Sequence, residues 1–109
     1  MAASGALTLC CLLWARPGMA ADLTVYEDTV LALVAEHGAQ VVQRVRSVPD
    51  DRGVPSELEA PTEVQVFTFP GQDALDAYRA DPRRAALAAE RDRVVARTEL
   101  FPVTLVPTV

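Results

Sequence analysis

The chain contains no lysine, no asparagine and no isoleucine, and it has one histidine, two cysteines and few aromatic residues. Each shortage removes a class of chemistry. Without lysine there is no Schiff-base nucleophile and no lysine base. A single histidine, His37, cannot build a multi-histidine metal centre, and neither an H-E-x-x-H nor a Cys-x-x-Cys pattern is present. Cys10 and Cys11 are adjacent, which is no disulfide framework; on a strand they point to opposite faces as small apolar residues. A glycine-rich phosphate loop is missing, and Ser4, Ser47 and Ser56 lie outside any G-x-S-x-G context. No metal or cofactor is therefore expected. All ten basic residues are arginine, set against fifteen acidic ones, for a formal charge of −5. That balance argues against a nucleic-acid partner, because phosphate binding wants a basic face.

What is present suits one globular domain over residues 1–109. Half of the residues are hydrophobic and 23% are charged. The longest apolar run, Leu7 to Ala15, is shorter than the roughly 20 residues that a membrane-spanning helix needs. It carries no Lys or Arg before it, and Arg16 comes after it. A secretory signal has the opposite arrangement. The run reads as a buried strand ended by Arg16-Pro17-Gly18, in a chain that stays in the cytoplasm, with residues 1–6 as a tail. The alternative is a secreted protein whose residues 1–20 are a cleaved signal.

Leu23, Tyr26, Val30, Leu33, Val34 and His37 recur at helical spacing, with Asp22, Glu27, Asp28 and Glu36 off that stripe. Gly38 can stop the helix. Gln40 to Val48 reads as a second strand, with Val41 and Val45 on one face and Val42, Arg44 and Arg46 on the other. Residues 49–62 form a long loop rich in proline and acidic residues. Glu63 to Phe69 is a third strand. A short helix follows from Gln72 to Ala80. Asp81-Pro82 then supplies an N-cap and a first-turn proline for a helix running to about Arg93. The last strand spans Thr98 to Val106, and its prolines assign it to an edge. The order βαββαβ predicts a ferredoxin-like α+β fold, a four-stranded antiparallel sheet in the order 4-1-3-2 with its helices on one face. The other face would be apolar and would pack against a second copy.

Several segments carry a family likeness: Leu7 to Pro17, Tyr26-Glu27, His37-Gly38, Glu63-Val64 to Phe69, and Ala74-Leu75-Asp76-Ala77-Tyr78 followed by Asp81-Pro82-Arg83-Arg84. Through them the chain resembles the dimeric α/β-barrel superfamily, and within it small bacterial members of unassigned function. The resemblance implies a homodimer whose two sheets form one barrel, with a pocket in each subunit. Relatives include cofactor-free monooxygenases on polyketide-like aromatics, haem-degrading enzymes, lactone isomerases and proteins with no known activity. No catalytic signature of those enzymes occurs here.

Five residues are candidates for a site. Tyr26 and His37, three helical turns apart on one face, are the candidate catalytic pair, with His37 as a general base at a pocket mouth or a capping histidine. Trp14, at the end of the first strand, either lines the same cavity or fills the core. Arg44 and Arg46 are able to hold a carboxylate or to meet a partner subunit. The remaining arginines, Arg79, Arg83, Arg84, Arg91 and Arg93, are interleaved with Asp76, Asp81, Glu90 and Asp92 and read as a salt-bridged solvent face. Two functions compete. One is a cofactor-independent monooxygenase or isomerase acting on a small hydrophobic or aromatic compound. The other is a non-catalytic ligand-binding homodimer.

Overall fold

The computed structural model describes residues 5–48 and 60–108, so most of the expected long loop lies outside the described residues, as does most of the N-terminal tail. The elements run β1 (Leu7–Ala15), α1 (Ala20–Glu36), β2 (Gln40–Arg46), β3 (Glu63–Phe69), α2 (Gln72–Arg79), α3 (Pro82–Ala85), α4 (Ala88–Val94) and β4 (Val95–Pro102). The four strands form one antiparallel sheet in the order β2-β3-β1-β4. This is the expected ferredoxin-like topology. β1 and β3, which lack charge in their interiors, are central, and the strands bearing arginine and proline are at the edges.

Side-chain alternation divides the sheet into two faces. Leu9, Cys11 and Leu13 of β1 are buried against the helices, together with Phe67 and Phe69 of β3. Leu23, Tyr26, Leu31 and Val34 of α1 meet them from above. Each such aliphatic side chain contributes roughly 1.5–3 kcal/mol by leaving water. The Phe69 ring packs edge-on to Phe67 and tilted against Tyr78, with centroids 5.8 and 5.9 Å away. α1 ends where His37 and Gly38 bond back to the carbonyls of Val34 and Ala35. Gly38 has φ +83, a left-handed conformation open to glycine at little cost.

Three expectations are corrected. First, a bulge in β2 shifts its pairing between Val41 and Gln43. Val41 therefore pairs with Phe67 and Arg44 with Gln65, on the helix-covered side, while Val45 pairs with Val64 on the open side. Val41 and Val45 do not share a face. Second, the helix after Asp81 is broken. Asp81 caps it as expected, accepting from the Arg83 amide at 2.8 Å. The Leu87 amide then bonds back only three residues, to the Arg84 carbonyl, and a new helix starts at Ala88. Third, β4 begins at Val95, directly after the buried Val94, and ends at Pro102 rather than Val106. Proline offers no N–H to the ladder, and beyond it only the Val103 amide still reaches β1, at the Thr8 carbonyl. Among the described residues no helix is long and apolar enough to cross a membrane.

Phe69 is fully buried and Val48 is 85% exposed. Phe69→Ala is expected to cost about 3–5 kcal/mol in urea unfolding, and Val48→Ala under about 0.5 kcal/mol.

Candidate functional site

α1 turns a stripe toward the sheet that includes Leu23, Tyr26, Glu27, Leu31 and Val34. Glu27 is the one charged residue in that stripe. Opposite it, β3 places Glu63 and Gln65 on the same inner face as Phe67 and Phe69. Between the helices and the sheet lies a cavity of about 440 Å³. Its interior is formed by apolar side chains such as Leu13, Val30, Leu31, Phe67 and Leu75, with Tyr26, Glu27, Gln65 and Tyr78 as the polar members and Arg79, Arg84 and Arg91 among the rest of its wall. The size and the apolar lining with a few convergent polar groups are those of a small-molecule site.

Glu27 and Gln65 belong to one chain of hydrogen bonds. Glu63, Gln65 and Glu27 are 0%, 1% and 4% exposed, so each must find its partners inside the protein. The Gln65 amide Nε2 donates to Glu27 Oε1 at 2.8 Å and to Glu63 Oε2 at 2.7 Å. Arg44 clasps Glu63 with Nε on Oε2 at 2.5 Å and Nη2 on Oε1 at 3.3 Å, and Arg46 Nε reaches Oε1 at 3.4 Å. Arg44 is anchored in turn on Asp28 at 2.6 Å and on the Thr24 carbonyl. Among the described residues no buried side-chain nitrogen or oxygen lacks a partner.

The two buried carboxyls are therefore treated differently. Glu63 has guanidinium partners. Glu27 has a neutral amide and the cavity. Burial is the main reason why its pKa rises, from 4.5 to about 7. The Glu63 carboxylate pushes in the same direction, while the Gln65 hydrogen bond and the charges of Arg44 and Arg91 pull against it. Burial likewise pushes Tyr26 and Cys11 up to about 12, and raises Tyr78, so these wall groups keep their protons at neutral pH. Glu27 is placed to exchange a proton near pH 7.

The candidates from the sequence are dispersed. Tyr26 lines the cavity beside Glu27. His37 lies outside the lining, its Nε2 donating to Asp81 Oδ2 at 2.8 Å and its ring edge-on to Tyr78. Asp81, held well below the usual carboxylate range by Arg83 first and His37 second, ties the end of α1 to the start of α3. Trp14 is on the opposite face of the sheet, with the Arg97 guanidinium 4.5 Å from its ring centroid. Arg44 and Arg46 do hold a carboxylate, but it is the chain's own Glu63. Glu27 is one of the four acidic residues expected off the stripe, and the structure turns it inward instead. The signal for it was present: from Leu23, steps of three and four reach Tyr26, Glu27, Val30, Leu31 and Val34. Glu63 and Gln65 likewise alternate into line with Phe67 and Phe69.

No family model matches this chain, and no curated protein matches it in sequence. Solved structures do match. A protein of unknown function from Rhodopseudomonas palustris superposes with a TM-score of 0.75 at 18% identity, over 94% of this chain and 85% of its own. SnoaB, a cofactor-independent oxygenase from Streptomyces nogalater, has a TM-score of 0.68 at 15% identity, over 96% and 97% of the two chains. A dabb family protein with a ferredoxin-like fold from Mesorhizobium loti has a TM-score of 0.65 at 10% identity, over 94% and 99%. At these identities the likeness is one of fold, and the fold is ferredoxin-like.

A carboxyl whose pKa rises on folding contributes stability below its unfolded value, near 4.5, and loses it as pH climbs through about 7. Glu27→Gln keeps an acceptor for Gln65 and removes the buried charge. It is expected to match the parent near pH 4 and to exceed it at pH 8–9 by about 1–3 kcal/mol. Urea midpoints measured across that range check the sign.

Proposed function

We infer that the cavity binds a small hydrophobic or aromatic compound with a weakly acidic proton, and that Glu27 removes this proton without the help of a cofactor. The observation that carries the reading is the Glu27 carboxyl, buried in the cavity wall with its pKa at about 7. A base poised near the working pH combines a useful ionised fraction with a useful basicity. The Gln65 N–H fixes the orientation of the carboxylate through Oε1. Tyr26 and Tyr78 stay protonated, and their hydroxyls are the donors for the oxygen that gains charge as a phenol or enolisable ketone loses its proton. His37 positions this wall, through its contact with the Tyr78 ring and its bond to Asp81.

Two outcomes are open to the resulting anion. Return of the proton from Glu27 to a different carbon is an isomerisation. Reaction with dioxygen converts an activated CH2 into a carbonyl and releases water, CH2 + O2 → C=O + H2O, with the substrate itself supplying the electrons. The fold shared with a cofactor-independent oxygenase favours the second. Cleavage of residues 1–20 as a signal does not fit this reading, because it would remove the central strand β1.

The reading includes a second copy of the chain. A solvated sheet face normally alternates toward polar residues. Here the open face carries Cys10, Leu12 and Trp14 of β1 and Val64 and Val66 of β3, each only partly covered, with the exposed Phe101 of β4 beside them. Packing two such sheets face to face removes this apolar surface from water.

Oxygen uptake with a panel of hydroxylated aromatics tests the chemistry. Turnover is expected to rise with pH through about 7 and to fall roughly 100-fold or more in Glu27→Gln while ligand binding persists. Undiminished turnover in that variant overturns the assignment of the base. Binding with no turnover in the parent protein identifies a ligand-binding module instead. For the assembly, light scattering is expected to show a dimer that Val66→Arg converts to a monomer.

A further inference from the structure

Among the described residues the arginines fall into two groups. Arg44 and Arg46 are paired with Glu63, Arg83 with Asp81 and Glu36, Arg93 with Asp22 and Glu90, and Arg97 with Glu99. Arg79, Arg84 and Arg91 have no carboxylate partner among the described residues, and all three line the cavity described above. Arg16, likewise without a carboxylate partner among the described residues, donates to the Asp92 carbonyl and is not part of the cavity wall. With fifteen acidic residues against ten basic ones, carboxylates are in surplus. Three arginines left without one line a single cavity on an acidic protein.

Neutral contacts hold Arg84 and Arg91 there. Arg84 stacks over the Tyr78 ring, 5.4 Å from its centroid, and Nη1 donates to the Arg79 carbonyl at 3.5 Å. Arg91 Nη2 donates to Thr98 Oγ1 at 3.2 Å. Those contacts orient the guanidinium planes and leave their charge and further N–H donors available. Their fields reach inward. The charge of Arg91 is felt by Cys11, Tyr26 and Glu27, and that of Arg84 by Tyr26 and Tyr78. The interleaved charges after Asp76 are thus not one salt-bridged face. Arg83 and Arg93 are paired outward with carboxylates, and the other three line the cavity.

We propose that the ligand of this cavity is an organic anion, with a hydrophobic or aromatic body in the apolar interior and a carboxylate at the rim held by Arg84 and Arg91, with Arg79 adding to the attracting field. A guanidinium offers a carboxylate two parallel N–H donors, and the apolar lining accepts the rings. Because the net charge of the protein is −5, the local cluster is what draws an anion to this opening, and added salt weakens that attraction. The proposal names the substrate class of the site inferred above. It rests on that reading for the cavity being occupied, and not on Glu27 acting as a base.

The test compares 2-naphthoate with its neutral isostere 2-naphthamide by calorimetry on the full chain at pH 8. All three arginines are exposed, so Arg84→Gln, Arg91→Gln and the double variant leave the core untouched. Naphthoate is expected to bind at least about tenfold more tightly than naphthamide, with the preference shrinking in high salt. In the double variant the ratio of the two affinities is expected to fall to near unity. Equal affinity for the two probes overturns the anion assignment alone. A preference that survives the double variant overturns the role of these arginines. Failure of both probes to bind overturns the proposal together with the reading of the cavity as a ligand site.

Discussion

The amide of Gln65 sits between two buried carboxyls and divides its two N–H groups between them. Much of the polar architecture follows from that division. A carboxylate in an apolar interior needs a counter-charge or several donors. Glu63 obtains both from Arg44, and Arg44 in turn requires Asp28 and the Thr24 carbonyl on α1, so the edge strand β2 is tied to the long helix across the inner strand β3. The bulge in β2 belongs to this arrangement, since it turns Arg44 to the covered side where Glu63 lies. Glu27 receives only the remaining N–H. The outcome is a carboxyl that the fold tolerates without neutralising, at the wall of a space that the helices leave open.

That tolerance has a thermodynamic side. A fold that selected only for stability would place an apolar residue or an amide at position 27, because a carboxylate there is held against its hydration. Groups kept in costly states beside a cavity are where function is sought. The same logic separates the arginines: those that bind carboxylates of the chain stabilise it, and those held by a ring, a hydroxyl or a backbone carbonyl keep their charge available to something else.

The two faces of the sheet differ in what covers them. Cys11 faces the cavity and the adjacent Cys10 faces outward, so a step of one residue along β1 moves from the helix-covered side to the open side. Trp14 illustrates the consequence. It was expected to line the cavity or fill the core, yet as an even-numbered residue of β1 it stands with Cys10 and Leu12 on the open face, where Arg97 covers its ring.

The local features were legible in the residues themselves. Strand-forming runs, the Asp81-Pro82 cap, the Gly38 stop and the edge-marking prolines depend on conformational preferences that act within a few positions, and the strand order follows from the chirality and economy of connections. The site was only partly legible. Tyr26 faces the sheet, as helical spacing alone would turn it, because that spacing is local. The burial of Glu27, the engagement of His37 with Asp81 and the choice of which arginines remain without carboxylates depend on which elements meet, and on where a single bulge inverts a strand. Periodicity tells a side chain which way to face; only the assembled layers decide what stands opposite it, and that neighbour sets both its charge and its chemistry.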